Sequence, residues 1–295
     1  MKLTAIMPVR NESWIVGLSA RAVMQWVDEL VILDHASVDD SREIEDAVAA
    51  EFPGRVFLFQ DTNPQWNEMA HRQFLLEQAR IGGATHVAIV DTDEILSGNL
   101  IGSIRNTIER MPKGAILQLP WVCLARSIDR YYAAGIWFNN WVTCAFEDSP
   151  EAHWKARDGY DLHHRQPMGR SPSYWRPVAQ SEDPLRHQGG LMHLQFCSER
   201  RLRAKQANYL ITEVIRWPGR ASIDELNRMY GRAIYESDPR TISTSACQAE
   251  WFEPYADLLR YLHIDSEPWQ EKAVHDAIAQ YGRDRFQGLD LFGVA

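Results

Sequence analysis

The chain has 295 residues and a formal net charge of −9, with 45% hydrophobic and 24% charged residues. These proportions are typical of a folded protein that buries a full core, and they do not indicate disorder. The negative charge disfavours a nucleic acid as partner, because the phosphodiester backbone carries the same sign. No apolar run approaches the roughly 20 residues that a transmembrane helix needs.

The amino-terminal segment and the cysteines both predict a cytoplasmic protein. Pro8, Arg10 and Glu12 appear before the apolar core of a signal peptide could form. The cysteines show no C-x-x-C spacing and no histidine at zinc-finger distance, so we expect reduced, packed thiols. They are Cys123, Cys144, Cys197 and Cys247.

Short apolar runs alternate with amphipathic segments in the first part of the chain. Strands are predicted at Leu3–Val9, Leu30–Leu33, Val56–Phe59, His86–Val90 and Ala115–Leu124, the last partly interrupted by Pro120. Helices are predicted from Ser13 to about Met24, from about Asp40 through Ala50, from Asn67 to Arg80 and from Asn99 to Met111. This alternation predicts right-handed crossovers and therefore an α/β fold with a mostly parallel sheet flanked by helices.

The remainder of the chain consists of an irregular segment followed by a helical one. From about Arg126 to Gly190 it is rich in aromatic residues, His, Pro and Gly with weak periodicity, which predicts loops that build a substrate pocket. Helical periodicity returns at Ser198–Ile215, Ile223–Tyr235, Phe252–Leu262 and Glu267–Tyr281. We therefore predict a catalytic domain at 1–197, with acceptor-side loops at 126–190, and a helical C-terminal region at 198–295 packed on it.

Polar residues follow three of the predicted strands. Asn11, Asp34 and Asp91 each come where a strand ends. Ligands of parallel sheets bind outside the carboxyl ends of the strands, so these residues are expected to line one crevice.

The clearest chemical signal is the acidic pair Asp91 and Asp93, which directly follows the fourth predicted strand. Extended geometry would direct both carboxylates to the same side. Hard oxygen ligands at this spacing suit Mg²⁺ or Mn²⁺ bridging a diphosphate. For an isolated D-x-D, capping of the following helix is the competing interpretation.

Two other metal motifs do not fit this pair. An EF-hand loop beginning at Asp91 would need Gly at its sixth position and Glu at its twelfth, where the chain has Leu96 and Gly102. Phosphatases of the haloacid dehalogenase type carry D-x-D after their first strand, whereas here it follows the fourth.

Three segments together resemble family 2 glycosyltransferases of the GT-A fold. They are Met7-Pro-Val-Arg-Asn-Glu12, Val31-Ile-Leu-Asp-His-Ala-Ser-Val-Asp-Asp-Ser41 and Val87-Ala-Ile-Val-Asp-Thr-Asp-Glu-Ile-Leu96, in the order and at intervals comparable to those of the family. The resemblance implies a GT-A fold and a metal-dependent glycosyltransferase that uses Mn²⁺ or Mg²⁺. The implied partners are a nucleoside diphosphate sugar, with a UDP-sugar favoured, and a saccharide or other hydroxyl acceptor.

The resemblance also implies roles for individual residues. Asp34 would contact the base, Asp91 the ribose or metal, and Asp93 the metal directly. Arg72 matches a donor-side arginine that could neutralise phosphate, although a solvated helix-face arginine is an equal alternative. The first loop would hold the nucleoside through Pro8, Arg10, Asn11 and Glu12.

Two downstream residues extend the implied donor site. Gly189-Gly-Leu-Met-His193 is similar to a later GT-A segment in which a histidine completes the metal site, and two glycines would allow close backbone approach. A packed His193 is the alternative. Lys205, in the cation-rich helix start after Ser198, is expected either to meet the diphosphate or to lie on a wet helix face.

The catalytic base is less sharply indicated. An inverting reaction, which the resemblance favours over retention, needs a carboxylate within reach of the acceptor hydroxyl. Asp183 lies at about the family's interval, Asp161 and the Glu147-Asp148 pair are rivals, and ordinary loop turns are the competing explanation. Candidates for stacking on the acceptor are Trp137, Trp141, Trp154 and Trp175, of which the first two could instead share a buried helical face.

Two functions from other classes stay open. A nucleotidyltransferase shares the sheet and metal carboxylates but normally has a Gly-rich, basic first loop, which Pro8 to Glu12 lacks. A non-catalytic nucleotide-sugar-binding protein would show metal-dependent binding without turnover.

Overall fold

The first half of the central sheet is parallel. In a computed structural model, which describes residues 1–155, 165–169, 173–176 and 188–295, strands β1 (Leu3–Val9), β2 (Glu29–His35), β3 (Val56–Asp61) and β4 (His86–Ile89) run in the spatial order β3-β2-β1-β4. Their register pairs Val9 with Asp34 and His35 with Asp61. The polar residues after these strands therefore lie along one edge of the sheet, and the predicted α/β class is confirmed.

The second half of the sheet contains a strand that the sequence did not predict. β8 (Trp141–Glu147) is antiparallel to both β4 and β6 (Ala115–Cys123). The prediction of loops throughout 126–190 is therefore wrong at this strand. The segment lacks the alternation of apolar and polar residues that marks a half-buried strand, because Val142 to Phe146 are buried on both faces of the sheet.

The other strands complete the sheet and a separate ribbon. β5 (Glu94–Leu96), β9 (Ser173–Trp175) and β10 (Leu191–His193) join the nine-stranded sheet formed by the described residues. β7 (Arg130–Tyr132) pairs antiparallel with β11 (Thr244–Ala246).

Helices cover both faces of the parallel strands. α1 (Val16–Val23), α2 (Ser41–Glu51) and α4 (Ile101–Glu109) contribute to a cluster on one face, where they meet alternate residues of β1 and β2. α3 (Glu68–Ile81) packs on the other face against Ile6, Val31 and Leu33. Period-two alternation of the strand side chains thus divides one sheet between two apolar layers.

The chain forms two compact units, each assembled from three segments. The first consists of Met1–Trp121, Asn140–Met192 and Gln248–His263, and the second of Val122–Asn139, His193–Cys247 and Ile264–Ala295. The domain limits 1–197 and 198–295 stay a prediction.

The second unit is mainly helical. α5 (Glu199–Arg216) packs against α6 (Ile223–Tyr235) and α7 (Trp269–Tyr281). Ser198 caps α5 by accepting from Arg201 N, and Ser222 begins α6 with a capping box. Within the described ranges, no helix has the length and apolar character required to span a membrane.

Candidate functional site

The loops after β1 and β2 are hydrogen-bonded into one surface. Asn11 adopts a left-handed backbone conformation with φ 52°, which Asn tolerates better than most residues. Its amide N–H donates to Ser37 Oγ at 2.8 Å, and its side-chain oxygen accepts from Val38 N at 2.7 Å. Glu12 N donates to Ser41 Oγ at 2.8 Å. The predicted nucleoside loop is therefore held by the loop that follows the second strand.

Asp34 lies beneath this surface. Its side chain is fully buried, with Oδ1 accepting from Ser37 N at 3.3 Å, while Oδ2 has no hydrogen-bond partner among the described residues. Burial raises the pKa of the neighbouring Glu45 to about 8, and the charge of Asp34 acts in the same direction. A base contact by Asp34 stays a prediction that requires its carboxylate to become accessible.

The D-x-D segment forms a turn rather than an extension of the strand. β4 ends at Ile89, and Glu94 N donates to Asp91 O at 3.0 Å. The expectation of extended geometry at Asp91 and Asp93 is therefore wrong. Thr92 Oγ1 donates to the Pro8 carbonyl at 2.7 Å, which joins the acidic turn directly to the end of β1.

Two arginines hold the carboxylate of Asp91. Arg72 Nη2 lies 2.8 Å from Oδ1, and Arg165 Nη1 lies 2.7 Å from Oδ2. Each guanidinium group also binds a second carboxylate, since Arg72 Nε donates to Glu68 at 2.6 Å and Arg165 Nη2 to Glu94 at 2.7 Å. Both oxygens of Asp91 are thus already accepting charge-assisted hydrogen bonds.

Four carboxylates and two guanidinium groups determine the electrostatics of this network. Burial would raise the pKa of Asp91, but the Arg72 and Arg165 guanidinium groups outweigh it and hold that pKa well below its usual range. The three carboxylates of Glu68, Asp91 and Glu94 face two guanidinium groups, and Asp93 adds a further carboxylate beside Asp91. Carboxylate oxygens are ligands that Mg²⁺ and similar divalent cations prefer.

The placement of Arg72 excludes one of its two predicted roles. Its exposed fraction is only 1%, so the solvated helix-face alternative is wrong. The side chain instead positions the D-x-D turn through Asp91. A direct phosphate contact stays a prediction, for which Nη1 is the atom without a hydrogen-bond partner among the described residues.

The predicted donor-site residues downstream belong to the second unit. His193 is buried, its carbonyl accepts from Leu124 N at 3.2 Å, and its ring meets the edge of Phe196. Lys205 Nζ donates to Gln195 Oε1 at 3.1 Å. Their roles as metal ligand and diphosphate contact stay predictions.

The glycines before His193 allow a close backbone approach, as expected. A Cβ at Gly190 would lie 2.2 Å from the Pro120 carbonyl oxygen, and Gly189 has φ +100°. Ser97 N donates to the Gly190 carbonyl at 2.8 Å.

Only one of the three candidates for the catalytic base, the Glu147-Asp148 pair, lies among the described residues. Asp161 and Asp183 lie outside the described residues, so both stay predictions. The Glu147-Asp148 rival is wrong on geometric grounds, because Glu147 pairs with His86 at the amino end of β4, opposite to the edge that carries the acidic turn. Arg80 also holds Asp148 with two hydrogen bonds of 2.8 Å.

The candidate stacking tryptophans occupy different environments. Trp154 is buried against Phe146 and is a core residue. Trp141 lies in β8 with the Arg176 guanidinium 4.3 Å from its ring centroid, which excludes a helical face shared with Trp137. Trp175 is partly buried against the core of the first unit, while Trp137 Nε1 donates to the Glu236 carbonyl in the second.

Sequence comparison finds no matching family model and no matching curated protein. Structure comparison finds S. aureus TarS 1–349 at 10% identity and a TM-score of 0.42, covering 97% of this chain and 89% of that chain. It also finds glucosyl-3-phosphoglycerate synthase from Mycobacterium tuberculosis with Mn²⁺, UDP and glucosyl-3-phosphoglycerate, at 14% identity and a TM-score of 0.32, covering 41% and 44% of the respective chains. TarS 1–349 with UDP-GlcNAc is similar at 11% identity and a TM-score of 0.38, covering 97% and 89% of the respective chains. These are proteins that the chain resembles, whereas its α/β class rests on its own strand order and register.

Proposed function

We propose that this protein is a metal-dependent glycosyltransferase that moves a sugar from a nucleoside diphosphate sugar to an acceptor hydroxyl. The observation that carries the proposal is the hydrogen bond from Thr92 to the Pro8 carbonyl, because it fixes the acidic turn beside the first loop at the carboxyl edge of the parallel strands. That edge is where α/β sheets bind nucleotides.

We assign different roles to Asp91 and Asp93 of the turn. Asp91 is already held by two guanidinium groups, so its role is to position the turn and to set the local charge. Asp93 would then be the carboxylate that holds Mn²⁺ or Mg²⁺, together with oxygens of the donor's phosphates. The bound cation would stabilise the negative charge that develops on the departing diphosphate.

The first loop supplies the other half of the donor site. Asn11 and Glu12 are fixed by Ser37 and Ser41, so their backbone is already ordered before a ligand binds. A site ordered in advance loses less conformational entropy on binding. We assign the nucleoside to this loop and a UDP-sugar as the donor class, with a saccharide or other hydroxyl as acceptor.

The proposed location is the cytoplasm. Its support is that all four cysteines are free thiols in the described structure, a state that a reducing compartment maintains.

A thermal-shift panel of nucleotide-sugars with and without Mn²⁺ tests the proposal. A donor should raise the melting temperature only when metal is present, since a ligand that binds the folded state stabilises it by mass action. Asp93→Ala should abolish that shift. Asp276→Ala, which changes an exposed acid on α7, is the matched control and should shift like the parent.

Analysis of the products after incubation with nucleotides separates the alternatives. A nucleotidyltransferase would respond to nucleoside triphosphates together with a sugar phosphate and release pyrophosphate. A non-catalytic binder would show the metal-dependent shift, yet leave the donor intact after long incubation. A glycosyltransferase should release free sugar slowly from its best donor even without an acceptor.

A further inference from the structure

A second cluster of metal-ligand residues lies at the ends of β2 and β3, and it shares no residue with the acidic turn. His35 ends β2 and Asp61 ends β3, and the two are direct partners in the register of this parallel pair. His71 comes from the following helix, α3. One ligand atom from each side chain falls within 4.8 Å of the other two.

We propose that His35, Asp61 and His71 form a binding site for a zinc-type transition-metal cation. Two imidazoles and one carboxylate are a ligand set that Zn²⁺ accepts, with a fourth position left for water or another ligand. Mg²⁺ and Ca²⁺ prefer oxygen ligands, so this site and the acidic turn would select different ions.

The separations already approach those of a metal site. His71 Nε2 lies 3.1 Å from Asp61 Oδ2, and the centroids of the two imidazole rings are 4.2 Å apart. Tetrahedral ligands with metal bonds of 2.0–2.1 Å lie about 3.3 Å from each other. The Asp61–His71 pair therefore already has nearly the separation of two metal ligands, and a bound cation would displace the proton through which His71 Nε2 now donates to Asp61.

The surroundings of His35 prepare one of its ring nitrogens as a ligand. Nε2 lies 2.8 Å from the Asn63 carbonyl, which can only accept, so Nε2 carries the proton and Nδ1 keeps the lone pair. A ring N–H held by a backbone carbonyl is the usual support of a metal-ligating histidine.

Arg10 is the group with which a cation would compete. Its Nη1 lies 3.2 Å from His35 Nδ1 and also donates to the Pro64 carbonyl at 2.8 Å. Metal binding would therefore release the Nη1 contact to His35 and leave the Pro64 contact available. The Trp66 ring, 5.9 Å from the His35 ring, covers the imidazoles, while the Asp61 side chain is 38% exposed and offers an entry path.

Zinc titration of the full chain against a chromophoric chelator tests the site, with Mg²⁺ in excess throughout to occupy the acidic turn. We expect one zinc per chain. His35→Gln, His71→Gln and Asp61→Asn should each weaken binding by at least about tenfold. Arg10→Met should tighten it, because the competing donor to Nδ1 is removed. His275→Gln, an exposed histidine on α7, and Asp93→Asn should bind like the parent.

Absence of zinc binding by the parent would overturn the proposal, and so would parent-like binding by His35→Gln and His71→Gln, since the ion would then be held elsewhere. A second measurement on the unaltered protein avoids any folding defect of the variants. Co²⁺ should give the strong visible absorption of tetrahedral coordination, and a weak octahedral spectrum would contradict the site. No donor is used, so failure here leaves the glycosyltransferase proposal untouched.

Discussion

Arg72 and Asp91 form an ion pair that joins α3 to the acidic turn, with the buried Arg72 Nη2 2.8 Å from Oδ1 of the partly exposed Asp91. Glu68, one turn earlier on the helix, binds Nε of the same guanidinium. The position of the turn is therefore set by a helix on one face of the sheet as well as by the strand that precedes it.

Arg72→Met should destabilise the protein strongly. Removing the guanidinium breaks its hydrogen bonds to Glu68 and Asp91, an effect of about 3 kcal/mol in the free energy of unfolding, while Arg165 still holds the other oxygen of Asp91. Urea denaturation measures it. Arg232→Met is the matched control, because the pair of Arg232 with Glu236, also four residues apart, is exposed and should contribute at most about 1 kcal/mol. Equal losses in the two variants would contradict the buried-pair account.

Asp91→Asn and Asp93→Asn should change different properties of the protein, its stability without metal and its stabilisation by donor with Mn²⁺. Asp91→Asn leaves two guanidinium groups facing a neutral side chain, so it should lower stability in the absence of metal by about 2 kcal/mol or more. Asp93→Asn should lose the manganese-dependent stabilisation by donor. Unfolding curves with and without Mn²⁺ separate the two effects, and the reverse assignment would refute the division of roles between these residues.

Glu45 should make stability depend on pH. Its folded pKa is raised by burial from 4.5 to about 8, so the folded state keeps a proton that the unfolded chain releases. Glu45 therefore does not reduce the free energy of unfolding below its unfolded pKa. The free energy of unfolding decreases as the pH rises from there towards the folded pKa. Glu45→Gln should be more stable than the parent at about pH 8, on the order of 2 kcal/mol, with a smaller gap at about pH 5. A difference independent of pH in urea denaturation would argue against a protonated Glu45.

Gly190→Ala should disturb the packing beside the sheet. The new Cβ would meet the Pro120 carbonyl oxygen at 2.2 Å, and relief by a backbone shift costs about 1–3 kcal/mol. Gly102→Ala on α4 has open space around the new methyl group and should stabilise by up to about 1 kcal/mol. Thermal unfolding of both variants checks the prediction, and a harmless Gly190→Ala would mean that the backbones can separate freely.

The parallel half of the fold was predictable because its signals are local. Each of the first four strands is a short apolar run, and the helices between them show clear helical spacing, so the observed limits differ from the predicted ones by only a few residues. The edge that brings Asn11, Asp34 and Asp91 together then follows from parallel topology alone.

The rest of the site depends on contacts between distant segments. Arg165, which holds Asp91 and Glu94, lies in a stretch without periodicity, and no local pattern marks it as a partner of the turn. β8 was missed because both of its faces are buried. His35 and Asp61 are brought together by strand register, and His71 by the packing of α3, so none of the three is recognisable as a cluster from its spacing.

Donor turnover tests the proposed glycosyltransferase activity most directly, followed as release of nucleoside diphosphate from UDP-sugars with and without Mn²⁺. We expect release by the parent only with metal, and a rate at least about 100-fold lower for Asp93→Asn. Consumption of a donor at the parental rate by Asp93→Asn, or no consumption of any nucleotide-sugar by the parent, would contradict the proposal.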